Sequence, residues 1–317
     1  MSIKVLGTGF YVPPRAVTND ELSQMVDTSD EWIMQRVGIR ERRVSVDETT
    51  ADMATKAARN ALVSAGIEAS ELDLIVVGTI SSDTACPTVA GMVQRAIGAK
   101  CPAFDISSAC SGFMFALETA AAYVARGNVK NVLVIGAERL SKLLDWKDRS
   151  TCIIFGDGAG AAVVTKGEGY LASTMYTQGS DEVLFIPDEV GSSPFYERTE
   201  KPRFVYMDGQ ETFKFAVGRI ARDVKEVAEK AGITLDRIDH VVTHQANIRI
   251  IEFASKKLKI PMEKFFVNIE KYGNTSAASV PIALAELHAS GKLKRGDIVA
   301  LCAFGGGLSS AACIIKW

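Results

Sequence analysis

The sequence predicts an α/β protein made of two similar halves, about residues 1–170 and 171–317. Three observations lead to this fold class. Short apolar runs alternate with longer helical patterns, an alternation typical of layered helices and sheets whose strands are largely buried. The chain has 317 residues, which is long for a single hydrophobic core. An internal repeat with an offset of 166 residues relates one half to the other.

Four short apolar runs, each bounded by turn residues, predict buried strands. They are LDLIVVGT (72–79), NVLVIGAE (131–138), RIDHVVTH (237–244) and GDIVALCAF (296–304). Four longer segments carry apolar residues at helical spacing and predict helices over 49–66, 111–127, 213–232 and 275–291. Each half then closes with a glycine turn and a further apolar run, FGDGAGAAVVTK (155–166) and FGGGLSSAACIIK (304–316).

The repeat predicts where the two halves meet. The tripeptide AGI occurs at 65–67 and 231–233, and the same offset relates the strand ends at Gly78 and His244. Helix patterns from Cys110 and from Asn274 each reach a glycine 17 residues later, so we expect these residues at equivalent helix openings. Extra residues near 137–153 and 180–212 interrupt the repeat. Because ligand sites favour strand ends and domain interfaces, we expect the functional site at the join, where these strand ends and helix openings of the two halves meet.

The composition argues against several classes of function. The net charge of −2 disfavours extensive contact with nucleic acid. The six cysteines form no Cys-x-x-Cys motif and the three histidines lack zinc spacing, so we expect no metal site. The sequence has no apolar run of 18 residues and no signal-peptide pattern, so we expect no membrane insertion and a cytoplasmic protein with free thiols.

One cysteine stands where a nucleophile could be activated. Cys110 lies in AFDISSACSGF (103–113), between a predicted strand and a predicted helix, among small residues that leave room for a substrate. A helix N-terminus lowers the pKa of a thiol and so favours the reactive thiolate. The alternative is a buried core cysteine, which is common in proteins. The local sequence leaves both interpretations open.

Three further segments carry groups that could act with Cys110. His244 ends a strand and is followed by the polar turn QAN, although a strand-end histidine can equally be a hydrogen-bonded structural residue. Asn274 precedes a helix in KYGNTSAAS, where a turn or helix cap is the simpler explanation. The stretch FGGGLSS could present backbone N–H groups to an oxyanion or could simply form a tight turn.

Taken together, the motifs resemble those of the β-ketoacyl-acyl-carrier-protein synthase III family, within the thiolase superfamily. The resemblance spans the chain through DEWIMQRVGIRERR, SSACSGF, DRSTCIIFGDGAGAAV, THQANIRI, YGNTSAASVP and FGGGLSSA, in that order. It implies a thiolase-like fold with two pseudo-symmetric halves in an αβαβα arrangement. It also implies a catalytic triad of Cys110, His244 and Asn274, with the backbone N–H groups of Cys110 and Gly306 forming the oxyanion hole.

The resemblance implies a decarboxylative Claisen condensation that initiates type II fatty-acid synthesis. Cys110 would take the acyl group of an acyl-CoA primer, and malonyl-acyl-carrier protein would then supply the carbon nucleophile as CO₂ leaves. His244 and Asn274 would stabilise the enolate. Acyl-CoA is a substrate in this scheme and no metal or organic cofactor is required. A homodimer is also implied.

The expected CoA site begins with a predicted capping box, Thr28-x-x-Glu31. Trp32 and Arg36 follow on one helix face and suit an adenine ring and a phosphate, although a half-buried Trp beside an Arg is the plain alternative. In the family the tryptophan and the arginine of DRST enclose the adenine, which implies Trp32 and Arg149 here. By motif position, the pantetheine tunnel would be lined by Gly209, Phe213, Asn247 and Phe304. Val37 stands where many relatives have threonine, so a hydroxyl contact is lost there.

Two remaining expectations concern the acyl carrier and the primer. Lys214, Arg249 and Lys256 match the docking residues that the family uses for an acidic carrier protein, although a charged helix face is usually just solvated. Cys86 precedes Pro87 at the position that closes the acyl pocket of the neighbouring subunit in the family. Because cysteine is smaller than phenylalanine, we expect room for longer or branched primers.

Other enzymes of the superfamily fit less well. A degradative thiolase needs a second cysteine near the C-terminal glycines, where this chain has Phe304. A hydroxymethylglutaryl-CoA synthase needs a catalytic glutamate and lacks the HQAN and GNTS motifs. A related CoA-dependent condensing enzyme of secondary metabolism stays open, as does a non-catalytic acyl-CoA binder, against which the intact triad argues.

Overall fold

A computed structural model describes residues 2–186, 195 and 204–317. In this part of the chain the strands are β1 (Ser2–Tyr11), β2 (Ala16–Thr18), β3 (Glu41–Arg43), β4 (Leu74–Gly78), β5 (Ala103–Ile106), β6 (Asn131–Glu138), β7 (Gly158–Gly167), β8 (Tyr170–Ser180), β9 (Leu184–Phe185), β10 (Tyr206–Met207), β11 (His240–Thr243), β12 (Ile298–Gly305) and β13 (Gly307–Lys316). The α-helices are α1 (Asn19–Ser23), α2 (Asp30–Val37), α3 (Thr50–Ala65), α4 (Val89–Ile97), α5 (Gly112–Ala125), α6 (Gly209–Lys230), α7 (Ile248–Leu258), α8 (Ile269–Tyr272) and α9 (Ser279–Ala289).

Two sheets with the same strand order form the framework. The first has the order β1-β7-β6-β4-β5, and the second has the order β8-β13-β12-β11. In both, the first two pairs are antiparallel and the next is parallel. A parallel bridge between Val241 and Phe265 stands in the second sheet where β5 stands in the first.

The sheets and helices alternate in five layers, as the family resemblance implies. Helices α3 and α4 cover the outer face of the first sheet, and α6 and α7 cover the outer face of the second. Helices α5 and α9 lie between the sheets in one continuous apolar core. Strand β4 shows how the layers arise, because Val76 packs inward against that core while Ile75 and Val77 pack under α3.

All four predicted strands and all four predicted helices form, with small differences in their ends. The predicted helix over 213–232 begins earlier, at Gly209, because the Asp208 side chain accepts hydrogen bonds from the backbone N–H groups of Gln210 and Glu211. The predicted capping box at Thr28 is wrong by one residue. Ser29 caps α2 and accepts from the N–H of Trp32 at 3.1 Å, since Ser29 has the extended backbone that a cap requires.

The strand registers confirm that Gly78 and His244 are equivalent. Leu74 pairs with Val132, the second residue of β6, and His240 pairs with Val299, the second residue of β12. Leu74 and His240 are therefore equivalent, and so are Gly78 and His244, each of which lies four residues further along its chain segment. Of the predicted interruptions, 137–153 contains the end of β6 and a 3-10 helix, Leu140–Leu143. The interruption near 180–212 contains β9 and β10, and its remainder lies partly outside the described residues.

The predicted equivalence of Cys110 and Asn274 is wrong by three residues. Each buried helix is preceded by a 3-10 turn, Ala109–Ser111 before α5 and Ser276–Ala278 before α9. Both turns begin with a residue of positive φ, 43° at Ala109 and 48° at Ser276. Cys110 is therefore equivalent to Ala277. Counting back from the final glycine misaligns the two openings, because α9 has 11 residues and α5 has 14.

Candidate active site

Cys110 lies in the 3-10 turn that leads into α5, and its side chain is buried with 7% exposed. The preceding residue, Ala109, has the left-handed φ of 43° that non-glycine residues rarely adopt. Strand β12 of the other half ends directly against this turn. A Cβ atom at Gly305 would lie 2.6 Å from the Cβ of Cys110 and 3.0 Å from its sulfur. The first two glycines of FGGG therefore bring the backbone close to the thiol.

Burial dominates the ionisation of this thiol. It raises the pKa of Cys110 to about 12, while the Ser276 side chain and the backbone of Gly306 act in the opposite direction. The prediction that the helix N-terminus would lower the pKa is therefore wrong for the free protein, because removal from water outweighs the favourable dipoles. Burial therefore favours the neutral thiol over the thiolate at this position.

His244 follows β11 and has a side chain that is almost wholly buried. Its backbone N–H donates to the carbonyl of Cys302 at 2.8 Å, and its ring meets Phe304 edge-on at a centroid distance of 5.1 Å. The Nδ1 atom is buried with no hydrogen-bond partner among the described residues. Burial lowers the pKa of His244 to about 3. The imidazole is therefore neutral, and one ring nitrogen can donate a hydrogen bond while the other accepts.

Asn274 is fixed by its neighbours in both backbone and side chain. Its backbone N–H donates to the carbonyl of Ile154 at 2.9 Å, and its own carbonyl accepts from the N–H of Gly156 at 3.0 Å. The side-chain oxygen accepts from the N–H of Ser276 at 2.8 Å. This contact orients the amide so that its NH₂ group is the remaining donor of the side chain.

These three side chains line one cavity with a volume of about 610 Å³. The sequence-predicted tunnel residues line it too: Gly209, Phe213, Asn247 and Phe304. Arg36, predicted for the phosphate of CoA, also lines it. Lys214 and Arg249 line it as well, and Lys214 is exposed to solvent. The remaining lining is largely apolar and includes Val37, Leu184, Met207, Ala246 and Ile250. The cavity therefore combines a buried thiol, a neutral imidazole and an amide with an apolar passage and a cationic residue at the surface.

The entrance is built from the first turns of two helices and the end of a third. Asn247 caps α7 by accepting from the N–H of Arg249 at 2.9 Å, and its amide donates to the carbonyl of Arg36 at 3.1 Å. This second contact ties α7 to the end of α2. Gly209 opens α6, and a Cβ added there would meet none of the described atoms within 4 Å. The first residue of α6 therefore leaves the passage open.

Trp32, Arg36 and Arg149 form a group at the outer surface. The Arg36 guanidinium lies 5.5 Å from the centroid of the Trp32 ring, and that of Arg149 lies 5.3 Å from it. The carbonyl of Asp27 accepts from Arg149 at 2.7 Å. An aromatic ring could enter between Trp32 and Arg149 only if the half-exposed Arg149 side chain moved outward.

The other predicted site residues lie away from the cavity lining. Gly306 stands next to it, and its backbone approaches the Cys110 sulfur closely enough to lower the thiol pKa. Lys256 is exposed on α7, two turns beyond Arg249. Cys86 is exposed in the loop that precedes α4 and does not border the cavity of its own chain. Its expected role involves the pocket of a neighbouring subunit and stays a prediction.

Sequence reasoning missed two polar residues close to Cys110. Glu138 ends β6 and is completely buried, and Ser276 lies between it and Cys110. One signal was present in the sequence, because Glu138 is the single charged residue in the apolar run NVLVIGAE. Ser276 belongs to the motif GNTSAAS, yet nothing in the sequence placed its hydroxyl against Cys110.

Metal-binding clusters and membrane-spanning helices are both absent from the described residues. In that part of the chain, no group of three His, Cys, Asp or Glu side chains is arranged to hold a metal ion. None of the helices in residues 2–186 and 204–317 is long and apolar enough to cross a membrane.

Comparisons with known proteins agree with this geometry. The family models for 3-oxoacyl-[acyl-carrier-protein] synthase III and for its C-terminal part match residues 104–179 and 228–317. The curated β-ketoacyl-[acyl-carrier-protein] synthase III of Clostridium acetobutylicum is 47% identical, over 100% of this chain and 99% of that protein. The crystal structure of 3-oxoacyl-[acyl-carrier-protein] synthase III from Aquifex aeolicus is 48% identical, with a TM-score of 0.93 over 99% of this chain and 100% of that one.

A third relative is named for a polyketide biosynthetic pathway. The crystal structure of the priming β-ketosynthase of a polyketide biosynthetic pathway is 37% identical, with a TM-score of 0.92 over 99% of this chain and 96% of that one.

The five layers and the buried cysteine at the join define a condensing acyltransferase of the thiolase superfamily, which confirms the predicted thiolase-like fold. More particularly, the chain belongs to the 3-oxoacyl-[acyl-carrier-protein] synthase III family.

Proposed function

We propose that this chain condenses an acyl-CoA primer with malonyl-acyl-carrier protein, with Cys110, His244 and Asn274 as its catalytic residues. The observation that carries the proposal is their meeting at one cavity that opens to the surface past Arg36 and Arg249. A buried thiol beside two neutral donors suits acyl transfer followed by enolate chemistry.

In the first half-reaction the Cys110 sulfur attacks the thioester carbonyl of the primer. The carbon–sulfur bond to CoA breaks, and CoA leaves as a thiol once it gains the proton that Cys110 loses. The backbone N–H groups of Cys110 and Gly306 stabilise the tetrahedral oxyanion. The closeness of Gly306 to the Cys110 sulfur supports this assignment.

In the second half-reaction the malonyl thioester loses CO₂. The electron pair of the broken carbon–carbon bond forms an enolate, whose oxygen accepts hydrogen bonds from His244 and Asn274. Neutrality suits His244 for this role, because a neutral imidazole donates without giving up its proton outright. The carbanion then attacks the carbonyl of the acyl-enzyme, the carbon–sulfur bond to Cys110 breaks and the 3-oxoacyl product leaves. The Cys110 thiolate takes up one proton from solvent to restore the thiol. The balance of atoms needs neither a metal nor an organic cofactor.

The contacts of the substrates follow the shape of the cavity. The apolar passage past Gly209, Phe213, Asn247 and Phe304 suits the pantetheine arm. Trp32, Arg36 and Arg149 combine a flat ring with two guanidinium groups, which suits an adenine and its phosphates.

The carrier protein would dock at the cavity mouth and along α7. Lys214, Arg249 and Lys256 supply positive charge there for an acidic partner.

The assembly and location of the protein are part of the same proposal. We propose a homodimer in which Cys86 closes the acyl pocket of the partner, in a cytoplasmic enzyme that acts without nucleic acid or membrane insertion. The division into halves at about residues 170 and 171 is supported by the matching orders of the two sheets, with β7 ending the first and β8 opening the second.

A condensing role in secondary metabolism is the second candidate, and the relative from a polyketide pathway favours keeping it. The two functions differ in the extender substrate or in the primer. Steady-state rates with malonyl-acyl-carrier protein and malonyl-CoA, each with a panel of acyl-CoA primers, separate them. We expect efficient use of the carrier-bound malonyl group and of longer or branched primers. A strong preference for malonyl-CoA would contradict the proposal.

A test of the residue assignments uses the two half-reactions separately. His244→Ala should slow CO₂ release from malonyl-acyl-carrier protein by roughly 10²–10³-fold, because one preorganised donor to the enolate is lost. Primer loading on Cys110 should change much less. An unchanged rate of CO₂ release would rule out the enolate role of His244. A non-catalytic acyl-CoA binder would show neither half-reaction.

A further inference from the structure

A buried carboxyl group, that of Glu138, lies behind Cys110 and is not one of the three proposed catalytic residues. Glu138 is completely buried at the end of β6. One oxygen accepts from the Ser81 hydroxyl, from the N–H of Ile80 at 3.2 Å and from the Thr79 hydroxyl at 3.3 Å. These contacts fix the carboxyl group in one orientation.

The other carboxyl oxygen points towards the active site. It accepts from the Ser276 hydroxyl at 3.2 Å. The 3-10 turn that holds Ser276 packs against the turn that holds Cys110, and the Ser276 side chain acts to lower the pKa of the thiol. Three groups that can exchange a proton therefore lie in sequence: a thiol, a hydroxyl and a carboxyl. Ser276 lies between the other two. Because its hydroxyl has one proton, it can donate a hydrogen bond to Cys110 or to Glu138 but not to both at once.

The fold by itself does not require either polar group. The matching strand in the other half, β12, ends at Gly305, which is the equivalent of Glu138. The first residue of the matching 3-10 turn is Ala109, the equivalent of Ser276, with nearly the same positive φ. Glu138 and Ser276 are therefore polar at positions where the other half has a glycine and an alanine. These two polar residues are the ones that lie close to Cys110.

We propose that Glu138 is a positioning residue that accepts the proton of the Cys110 thiol through the Ser276 hydroxyl when the primer is attacked. The S–H bond breaks as Ser276 gains that proton, and Ser276 passes its own proton to the carboxylate of Glu138. The sulfur electron pair forms the new bond to the thioester carbon. The proton returns by the same two oxygens as CoA departs, so Glu138 ends the half-reaction ionised.

The charges around the pair are consistent with this transfer. Burial raises the pKa of Glu138 to about 7, so its carboxylate can gain a proton near neutral pH. An ionised Glu138 also raises the pKa of Cys110, because two buried negative charges repel each other. A single negative charge shared between them avoids this repulsion.

The nearby ionisable groups of the described residues are engaged elsewhere or are weak bases. The neighbouring Arg139 is directed towards Asp83 at 3.4 Å, as is Lys142 at 3.0 Å. His244, at the end of a strand of the second sheet, lines the same cavity as Cys110. Burial lowers the pKa of its imidazole to about 3, so the imidazole is a poor base. Glu138 is therefore the acceptor best placed for the thiol proton.

The test measures the rate of primer loading on Cys110 across a range of pH for the wild-type protein, Glu138→Gln and Ser276→Ala. In the wild type the rate should rise as Glu138 loses its proton, with a midpoint near its pKa of about 7. Both variants should lose this dependence and load about 10²-fold more slowly, the usual contribution of a positioned proton acceptor. Glu138→Asp retains a carboxyl and should retain part of the pH dependence.

The control is CO₂ release from malonyl-acyl-carrier protein by the same variants, which depends on His244 and Asn274 and should not change. Ser276→Ala should fold, because Ala109 shows that alanine tolerates this backbone conformation. Its backbone N–H still donates to Asn274. Wild-type loading rates or an unchanged pH dependence in both variants would overturn the inference. An equal loss in both half-reactions would also overturn it, since that result indicates a structural role.

The inference rests on the proposed function, and the two can fail separately. If the wild type carries no acyl group on Cys110, the proposed function fails. If Cys110 is acylated but Glu138→Gln loads like the wild type, only the proton route fails.

Discussion

Replacing Gly305 by alanine tests how closely the nucleophile is held by the opposite half of the molecule. The new Cβ would lie 2.6 Å from the Cβ of Cys110, 3.0 Å from its sulfur and 3.2 Å from its backbone nitrogen. Ordinary contact begins near 3.4 Å, so Cys110 or β12 must move by about 0.8 Å. Both are buried in packed structure, which makes the shift costly by about 1–3 kcal/mol of stability.

The displacement acts directly on the reacting sulfur. A misplacement of about 1 Å can cost about 10²-fold in rate, so we expect primer loading by Gly305→Ala to fall by that order. The assay is single-turnover loading from an acyl-CoA, followed by the mass of the intact protein. Thermal unfolding, measured in parallel, separates lost geometry from lost folding.

Gly218→Ala is the matched control. Gly218 is exposed within α6, and a Cβ there would meet none of the described atoms within 4 Å. Alanine in a helix interior is more favourable than glycine by about 0.5–1 kcal/mol, so this variant should be slightly more stable and fully active. If Gly305→Ala loaded primer as fast as Gly218→Ala, the close approach of β12 to Cys110 would have no functional role.

Three further predictions concern charge, pocket size and acid stability. Arg249→Glu should impair the use of malonyl-acyl-carrier protein while sparing primer loading. The control is Lys292→Glu, an equal charge change at another exposed site, which should affect neither half-reaction. Equal losses in both half-reactions of Arg249→Glu would contradict docking at Arg249. Cys86→Phe should shift the primer panel towards acetyl-CoA, and an unchanged panel would remove Cys86 from the acyl pocket. The pKa of His244 falls from 6.5 in the unfolded chain to about 3 in the folded one, so its contribution to stability is present above pH 6.5 and is lost as the pH falls towards 3. Urea unfolding should therefore show that His244→Ala loses less stability on acidification than the wild type, by roughly 1.4 kcal/mol per pH unit in this window.

The layered fold could be predicted because each strand and helix has its own local apolar pattern, and because the two halves repeat the same order of patterns. Strand β6, for example, coincides with the apolar run 131–138, and the shared offset located Gly78 and His244 at matching strand ends. The repeat was less reliable at the helix openings. There α9 is three residues shorter than α5, so the repeat predicts Cys110 as the equivalent of Asn274, whereas Ser107 is its equivalent in the structure.

The surroundings of the nucleophile could not be predicted from local sequence. A helix N-terminus favours a thiolate, yet the pKa of Cys110 is raised, because the second half covers the turn and removes water from it. Glu138 and Ser276 are 138 residues apart and meet only when the two halves pack. Such contacts depend on packing across the join, which neither hydrophobic period nor motif spacing encodes.

The most direct test of the account is to locate the acyl group after incubation with an acyl-CoA primer. Peptide mass mapping of the wild-type protein should find one acyl group, on the peptide that contains Cys110. Cys110→Ser should carry none, although it could still release CO₂ from malonyl-acyl-carrier protein. Full loading of Cys110→Ser, or an acyl group on another cysteine of the wild type, would contradict the assignment of Cys110 as the nucleophile.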